Sequence, residues 1–170
     1  GWVAYWDALG RVLDPVTMRL VGGGLIVLAL ARRQWRVALF LFIGVELAGL
    51  VTVAVKAATD RPRPATALVS AASSSFPSGH AFEVMAAVLA MSTVVLPLLV
   101  PAQRRWLIAV GTVVVVAVGV GRVVLNVHHP SDVVAGWALG YLYFSACLLV
   151  FARGRVGVSR KRTKNWQRPV

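Results

Sequence analysis

An all-α bundle that crosses a lipid bilayer several times is the fold class this sequence predicts, and three observations predict it. The 170-residue chain is 58% hydrophobic with a mean hydropathy of +0.76, too apolar for a water-soluble domain of this size. Its apolar residues come in blocks of about 20, the length a helix needs to cross a hydrocarbon layer ~30 Å thick. Its charges fall between and after those blocks, where a bilayer leaves them in water. The chain reads as a single integral-membrane domain, residues 1–170, with five spans.

Residues 1–14 carry Trp2, Tyr5 and Trp6 together with two acids, and form an interfacial segment with its aromatic rings at headgroup level. The first span is 15–31, started by Asp14 as N-cap and Pro15 in the first turn. Arg32, Arg33 and Arg36 make a basic turn. The second span, 37–58, is broken only by Glu46. A polar loop with several prolines and a serine run follows, from residue 59 to 75. The third span is 79–100. Residues 101–105, with Arg104 and Arg105, form the next turn, and the Val-rich fourth span is 106–124. A proline biases its predecessor away from helix, so 128–130 is a turn before the fifth span, 132–151. Residues 153–170 form a basic tail. Cys147, the single cysteine, has no partner for an intrachain disulfide and serves packing. No internal repeat is present.

Loop charge orients the bundle. The Arg32–Arg36 turn, the Arg104–Arg105 turn and the basic tail fall on one side of alternating spans, and basic short loops mark the cytoplasmic side. The other connections then face outward. Lys56, Arg61, Arg63 and Arg122 lie there against the rule, and binding an anion is the reason to keep them. The excess of 18 Lys and Arg over 6 Asp and Glu, a net charge of +12, is explained by topology and anionic headgroups, with no call for nucleic acid. An outward start at Gly1 without a signal sequence suggests that one more span precedes it.

Three polar clusters on the outward side carry the chemistry. In Lys56–x6–Arg63–Pro64, Arg63 is held between two prolines and offers a planar donor fork; Arg61 is a peripheral headgroup contact. Cations at an interface also occur merely as snorkelling side chains. In Pro77–Ser78–Gly79–His80, a helix begins, and its free N–H groups form an anion site. Gly79 lets a phosphate approach the backbone, the Ser78 hydroxyl can donate to it, and His80 is placed to protonate a leaving oxygen. In Arg122–x5–His128–x3–Asp132, a carboxylate holds one imidazole nitrogen and leaves the other free to attack. Arg122 adds a second fork. His129 is a structural neighbour of His128. Ionisable groups inside spans are functional suspects: Glu83, one turn from His80, tunes it, and Glu46 pairs with Arg19 or is packed. Three cations, two imidazoles and one carboxylate at a membrane surface suit phosphoryl transfer from a lipid phosphate.

The three motifs, in this order, resemble the type 2 phosphatidic acid phosphatase superfamily, which includes lipid phosphatases, some glucose-6-phosphatases and vanadium haloperoxidases. The resemblance covers residues 56–132 in motifs and the flanking spans in layout. One departure is Gly121, where the family usually has Ser before the arginine. The family usually has six spans, in agreement with a further span ahead of Gly1. The resemblance implies that Lys56, Arg63, Arg122, Ser78 and the Gly79 N–H bind phosphate. It implies that His128 forms a phosphohistidine, oriented by Asp132, that His80 protonates the departing oxygen, and that neither a metal nor another cofactor is needed.

The expected enzyme is a bacterial inner-membrane lipid phosphatase with an extracytoplasmic site. Its substrates would be a polyprenyl diphosphate, a polyprenyl phosphosugar phosphate, phosphatidylglycerophosphate or phosphatidic acid. A non-hydrolytic lipid-phosphate binder or a haloperoxidase-like relative is the alternative, and a small transporter would explain the spans but not the His–Asp spacing. The Ser/Ala-rich segment 65–75 between two motifs is expected to be a mobile cover over the headgroup.

Overall fold

The structure, a computed structural model, describes residues 1–70 and 73–159, with side chains up to residue 152. The side chains of the basic tail lie outside the described part, as do residues 160–170 altogether. The described residues form helices and connections with no strand: α1 (Trp2–Val12), α2 (Pro15–Ala31), α3 (Trp35–Leu41), a π-helical turn (Phe42–Glu46), α4 (Ala48–Thr59), α5 (Gly79–Val95), a 3-10 turn (Leu96–Leu98), α6 (Pro101–Val124) and α7 (Pro130–Ser159). Five segments are long and apolar enough to cross a membrane. At ~1.5 Å per residue, the 24 residues of α6 reach about 36 Å.

Helix starts follow local chemistry. Asp14 Oδ1 accepts the Thr17 N–H at 2.7 Å and Pro15 takes the first position of α2, as expected. Two starts come earlier than expected. Pro101 opens α6, so Arg104 and Arg105 lie in its first turns rather than in a loop; Gln103 Oε1 accepts the Val100 N–H at 3.2 Å and caps the end. Pro130 likewise opens α7 two residues before Asp132. In both places the proline is a helix starter, because the first turn leaves its missing N–H unneeded. The second span is not one regular helix. Its π-turn bears Glu46, and the Tyr143 hydroxyl donates to the Ile43 carbonyl there at 2.6 Å, a carbonyl loosened by the wider turn.

The core sits where α5 is enclosed by α2, α3, α6 and α7. Leu41, Val45, Phe82, Val84, Ala87 and Val118 are buried in it. The α5–α7 contact is the closest. A Cβ on Gly136 would stand 2.7 Å from the Ser78 carbonyl oxygen, and one on Gly140 2.6 Å from that of Phe82. Two small residues four apart let two spans approach to backbone contact. This crossing sets the start of α5 beside the start of α7, and the site lies at that end. Outward surfaces stay apolar: Val110, Val113 and Leu142 are exposed, as they are on helices bathed by lipid.

Candidate active site

The end of α4, the start of α5, the end of α6, the start of α2 and the α6–α7 turn surround a cavity of about 510 Å³, whose walls include Lys56, Arg63, Gly79, His80, Arg122 and His128. All three sequence clusters therefore meet at one place. Each comes from the end of a span, so the cavity opens at one end of the bundle.

His128 is 3% exposed. Its Nε2 lies 3.2 Å from Arg63 Nη1. Its Nδ1 faces Asp132 Oδ2 at 3.7 Å, a charge contact beyond hydrogen-bond length. Burial above all, and then the Arg63 and Lys56 cations, push the imidazole down to about 3 from its usual 6.5. The ring is therefore neutral at neutral pH, with one nitrogen available as a nucleophile.

Asp132 is fully buried and ties three elements together. Oδ2 accepts the His129 N–H at 2.8 Å, and Oδ1 accepts from Arg61 Nη1 at 2.7 Å. Its backbone carbonyl accepts the Ser78 N–H at 3.0 Å. Arg61 also donates to Ser131 Oγ at 3.0 Å. This corrects the reading of Arg61 as a headgroup contact: its guanidinium is committed to Asp132. His129 takes part through its backbone alone, accepting the Asp132 N–H at 2.9 Å.

Two of the cations on the cavity wall are held by backbone carbonyls. Lys56 Nζ donates to the Ser74 carbonyl. Arg63 donates from Nε to the Ser73 carbonyl and from Nη1 to the Val127 carbonyl, both at 2.7 Å. Arg122 is buried in the last turn of α6 with Nε unpaired. Gly10 of α1 lies against its guanidinium so closely that a Cβ would collide with it. That contact was not legible beforehand, since residues 1–14 read as a surface segment only.

The loop expected to be a mobile cover is instead braced. Leu68 N donates to the Leu125 carbonyl at 3.0 Å, Asn126 Nδ2 donates to Thr66, and Ser75 N donates to the Arg61 carbonyl at 2.8 Å. With Ser73 and Ser74 holding the cations, the loop is part of the site's frame; residues 71 and 72 lie outside the described part. Ser78 departs from expectation as well. It is fully buried, off the cavity wall, and its Oγ accepts the Ala81 N–H at 3.4 Å as a helix cap. Gly79 and His80 are the members of that motif on the wall.

Glu83 does not pair with His80. It pairs with Arg19 of α2, which also corrects the expected Arg19–Glu46 pair: Glu46 Oε1 is buried without a hydrogen-bond partner. Asp14, Arg19 and Thr52 line the cavity too, and the sequence offered no motif to mark them.

Residues 36–155 match the PAP2 superfamily. The decaprenylphosphoryl-5-phosphoribose phosphatase of Mycobacterium tuberculosis is 36% identical over 122 residues, 69% of this chain and 61% of that protein. The lipid A 1-phosphatase of Rhizobium johnstonii is 34% identical over 125 residues, 67% of this chain and 48% of that one. The chain thus spans between 48% and 61% of the length of these relatives. A transmembrane PAP2-type phosphatidylglycerolphosphate phosphatase from Bacillus subtilis shares the fold, with a TM-score of 0.63 over 96% of this chain and 88% of that chain at 24% identity. With a match over 120 residues that carries all three polar clusters, the chain belongs to the PAP2 superfamily.

Proposed function

We propose that the protein is a metal-independent lipid phosphatase that works through a phosphohistidine on His128. The observation that carries this reading is the placement of His128, with a neutral imidazole whose Nδ1 faces Asp132 and whose Nε2 stands beside Arg63 in a cation-lined cavity. The relatives are named for phosphatase activity on lipid A, on a decaprenyl phosphosugar and on phosphatidylglycerophosphate, which supports the same class.

Lys56, Arg63, Arg122 and the first N–H groups of α5 hold the phosphoryl oxygens. Catalysis of phosphoryl transfer is mainly positioning and charge stabilisation. His128 Nε2 attacks phosphorus, and the bond to the lipid oxygen breaks. His80 gives that oxygen its proton. The P–N bond leaves a cationic ring, which Asp132 stabilises from the Nδ1 side. Water, giving its proton to His80, then displaces the imidazole and frees phosphate. Charge-assisted hydrogen bonds contribute about 1.5–3 kcal/mol each, so loss of one arginine reduces kcat/KM roughly tenfold to a hundredfold.

The site faces outward from a bacterial inner membrane, and residues 1–14 lie at the interface beside it. Support comes from the basic α2–α3 turn and from Arg104 and Arg105 in the first turns of α6, both at the end opposite the cavity, and from the exposed Trp2 and Tyr5 of α1. The test is phosphate release from a panel of lipid phosphates by purified protein in chelator. Wild type and His129→Ala release phosphate, and His128→Ala does not. Release by His128→Ala, or a need for added metal, rejects the mechanism.

A further inference from the structure

One wall of the cavity lies apart from the residues assigned above to the phosphoryl group. Lys56 and Gly79 mark where α4 and α5 meet the phosphoryl group. One turn deeper into the same helices stand Thr52 and Glu83, four residues away in each case and so about 5–6 Å closer to the bilayer centre. From α2, Arg19, just over a turn beyond the Asp14 cap, completes this deeper wall; Asp14, Arg19, Thr52 and Glu83 all line the cavity. The family match begins at residue 36, so Asp14 and Arg19 lie outside it.

The deeper wall is polar where a lipid phosphatase would need only hydrocarbon. Arg19 pairs with Glu83, its Nε is buried without a partner, and its side chain remains 36% exposed. Thr52 is 7% exposed, with its hydroxyl unpartnered and its methyl packed on Gly79, where a Cβ would stand 2.9 Å away. A helical threonine has two favoured χ1 states, so that hydroxyl can be turned toward an incoming group. Unpaired buried polar groups cost free energy unless a partner reaches them. The cavity volume of about 510 Å³ is also in the range of small-ligand sites, more than a phosphoryl group alone requires.

We propose that this wall is a second subsite that reads hydroxyl groups on the part of the substrate next to the scissile phosphate. The inference rests on the phosphatase reading and names its substrate class: a lipid whose terminal phosphate is carried by a polyol, either a sugar or a glycerol. Because the tail stays in the bilayer, the leaving group lies on the membrane side of the phosphate, against this wall. Charge decides between the candidates. Arg19 is paired with Glu83, so the deeper wall has no net positive charge to hold the second phosphate of a lipid diphosphate. A neutral hydroxyl can donate to Glu83 and accept from Arg19 or Thr52. A lipid with no hydroxyl there leaves these groups unpaired, and sites built to hydrogen-bond a hydroxyl discriminate strongly against analogues without one.

The experiment measures kcat/KM of the purified protein on a prenyl-linked sugar phosphate, phosphatidylglycerophosphate, phosphatidic acid and a prenyl diphosphate. Wild type favours the first two. Thr52→Val and Glu83→Gln each lower the ratio of sugar phosphate to phosphatidic acid about tenfold, the effect of one unpaired buried polar group. The ratio is insensitive to partial misfolding, because both substrates report the same folded population. Equal rates of wild type on all four lipids, a preference for the diphosphate or phosphatidic acid, or parallel losses that leave the ratio unchanged would overturn the subsite. Parallel losses would make Arg19–Glu83 a structural pin between α2 and α5. Those results leave the phosphatase reading standing, whereas no release from any lipid rejects both.

Discussion

At His128 a buried imidazole sits between a carboxylate and a guanidinium, and its protonation has a thermodynamic consequence. An unfolded histidine titrates near 6.5, whereas folded His128 is held near 3 by burial and by Arg63 and Lys56. Between those values the unfolded chain binds a proton that the folded site refuses, so acid favours unfolding. His128 therefore penalises the fold increasingly as pH falls from about 6.5 toward 3, and the penalty levels off below that. His128→Asn should lose less stability than wild type over this window, measured as the denaturant midpoint in detergent at several pH values. Identical pH slopes would show that the imidazole is not held neutral. At this scale, what the sequence made legible were groups whose partners lie close in the chain. His128 and Asp132 are four residues apart across a proline turn, and the spacing itself announces the pair. Arg61 with Asp132, Arg19 with Glu83, and Gly10 with Arg122 join groups separated by 64 residues or more; only the packed bundle decides such contacts.

Among the elements, α5 and α7 determine whether the motifs meet. Gly136 and Gly140 bring the two helices to backbone contact, which sets Ser78 N–H on the Asp132 carbonyl. A leucine at position 140 must push the helices apart. Overpacking of this kind costs about 1–3 kcal/mol, and here it also moves His80 away from His128. Gly140→Leu should lower both the thermal midpoint and kcat/KM, while Gly23→Ala, with nothing within 4 Å of the added methyl, should change neither appreciably. A Gly140→Leu protein with full activity would mean that this crossing does not position the site. The five spans were readable because length and hydropathy suffice for a bilayer helix. The π-turn at Phe42–Glu46 was not, because an apolar run carries no mark of a local change in helical period. The loop 65–75 misled for a related reason. Its small residues suggest mobility, but its backbone carbonyls, invisible to side-chain reading, hold Lys56 and Arg63.

For the whole molecule, function depends on which face of the membrane the cavity meets. The cavity lies at the end of the bundle opposite Arg32, Arg33, Arg104 and Arg105, and the outward orientation proposed above rests on that charge bias. In a Cys147→Ala background, Ala67→Cys should react with an impermeant thiol reagent in intact cells, and Arg33→Cys and Arg104→Cys should be shielded. The reverse pattern would put the site in the cytoplasm. The proposed function turns on covalent chemistry at a single nitrogen of His128. The most direct measurement is to quench a single turnover of radiolabelled lipid phosphate, in chelator, and locate the label by peptide mapping. The account predicts an acid-labile, base-stable phosphoryl group on His128, absent from His128→Ala. Label on another residue, or phosphate release with no labelled protein at any quench time, would contradict it.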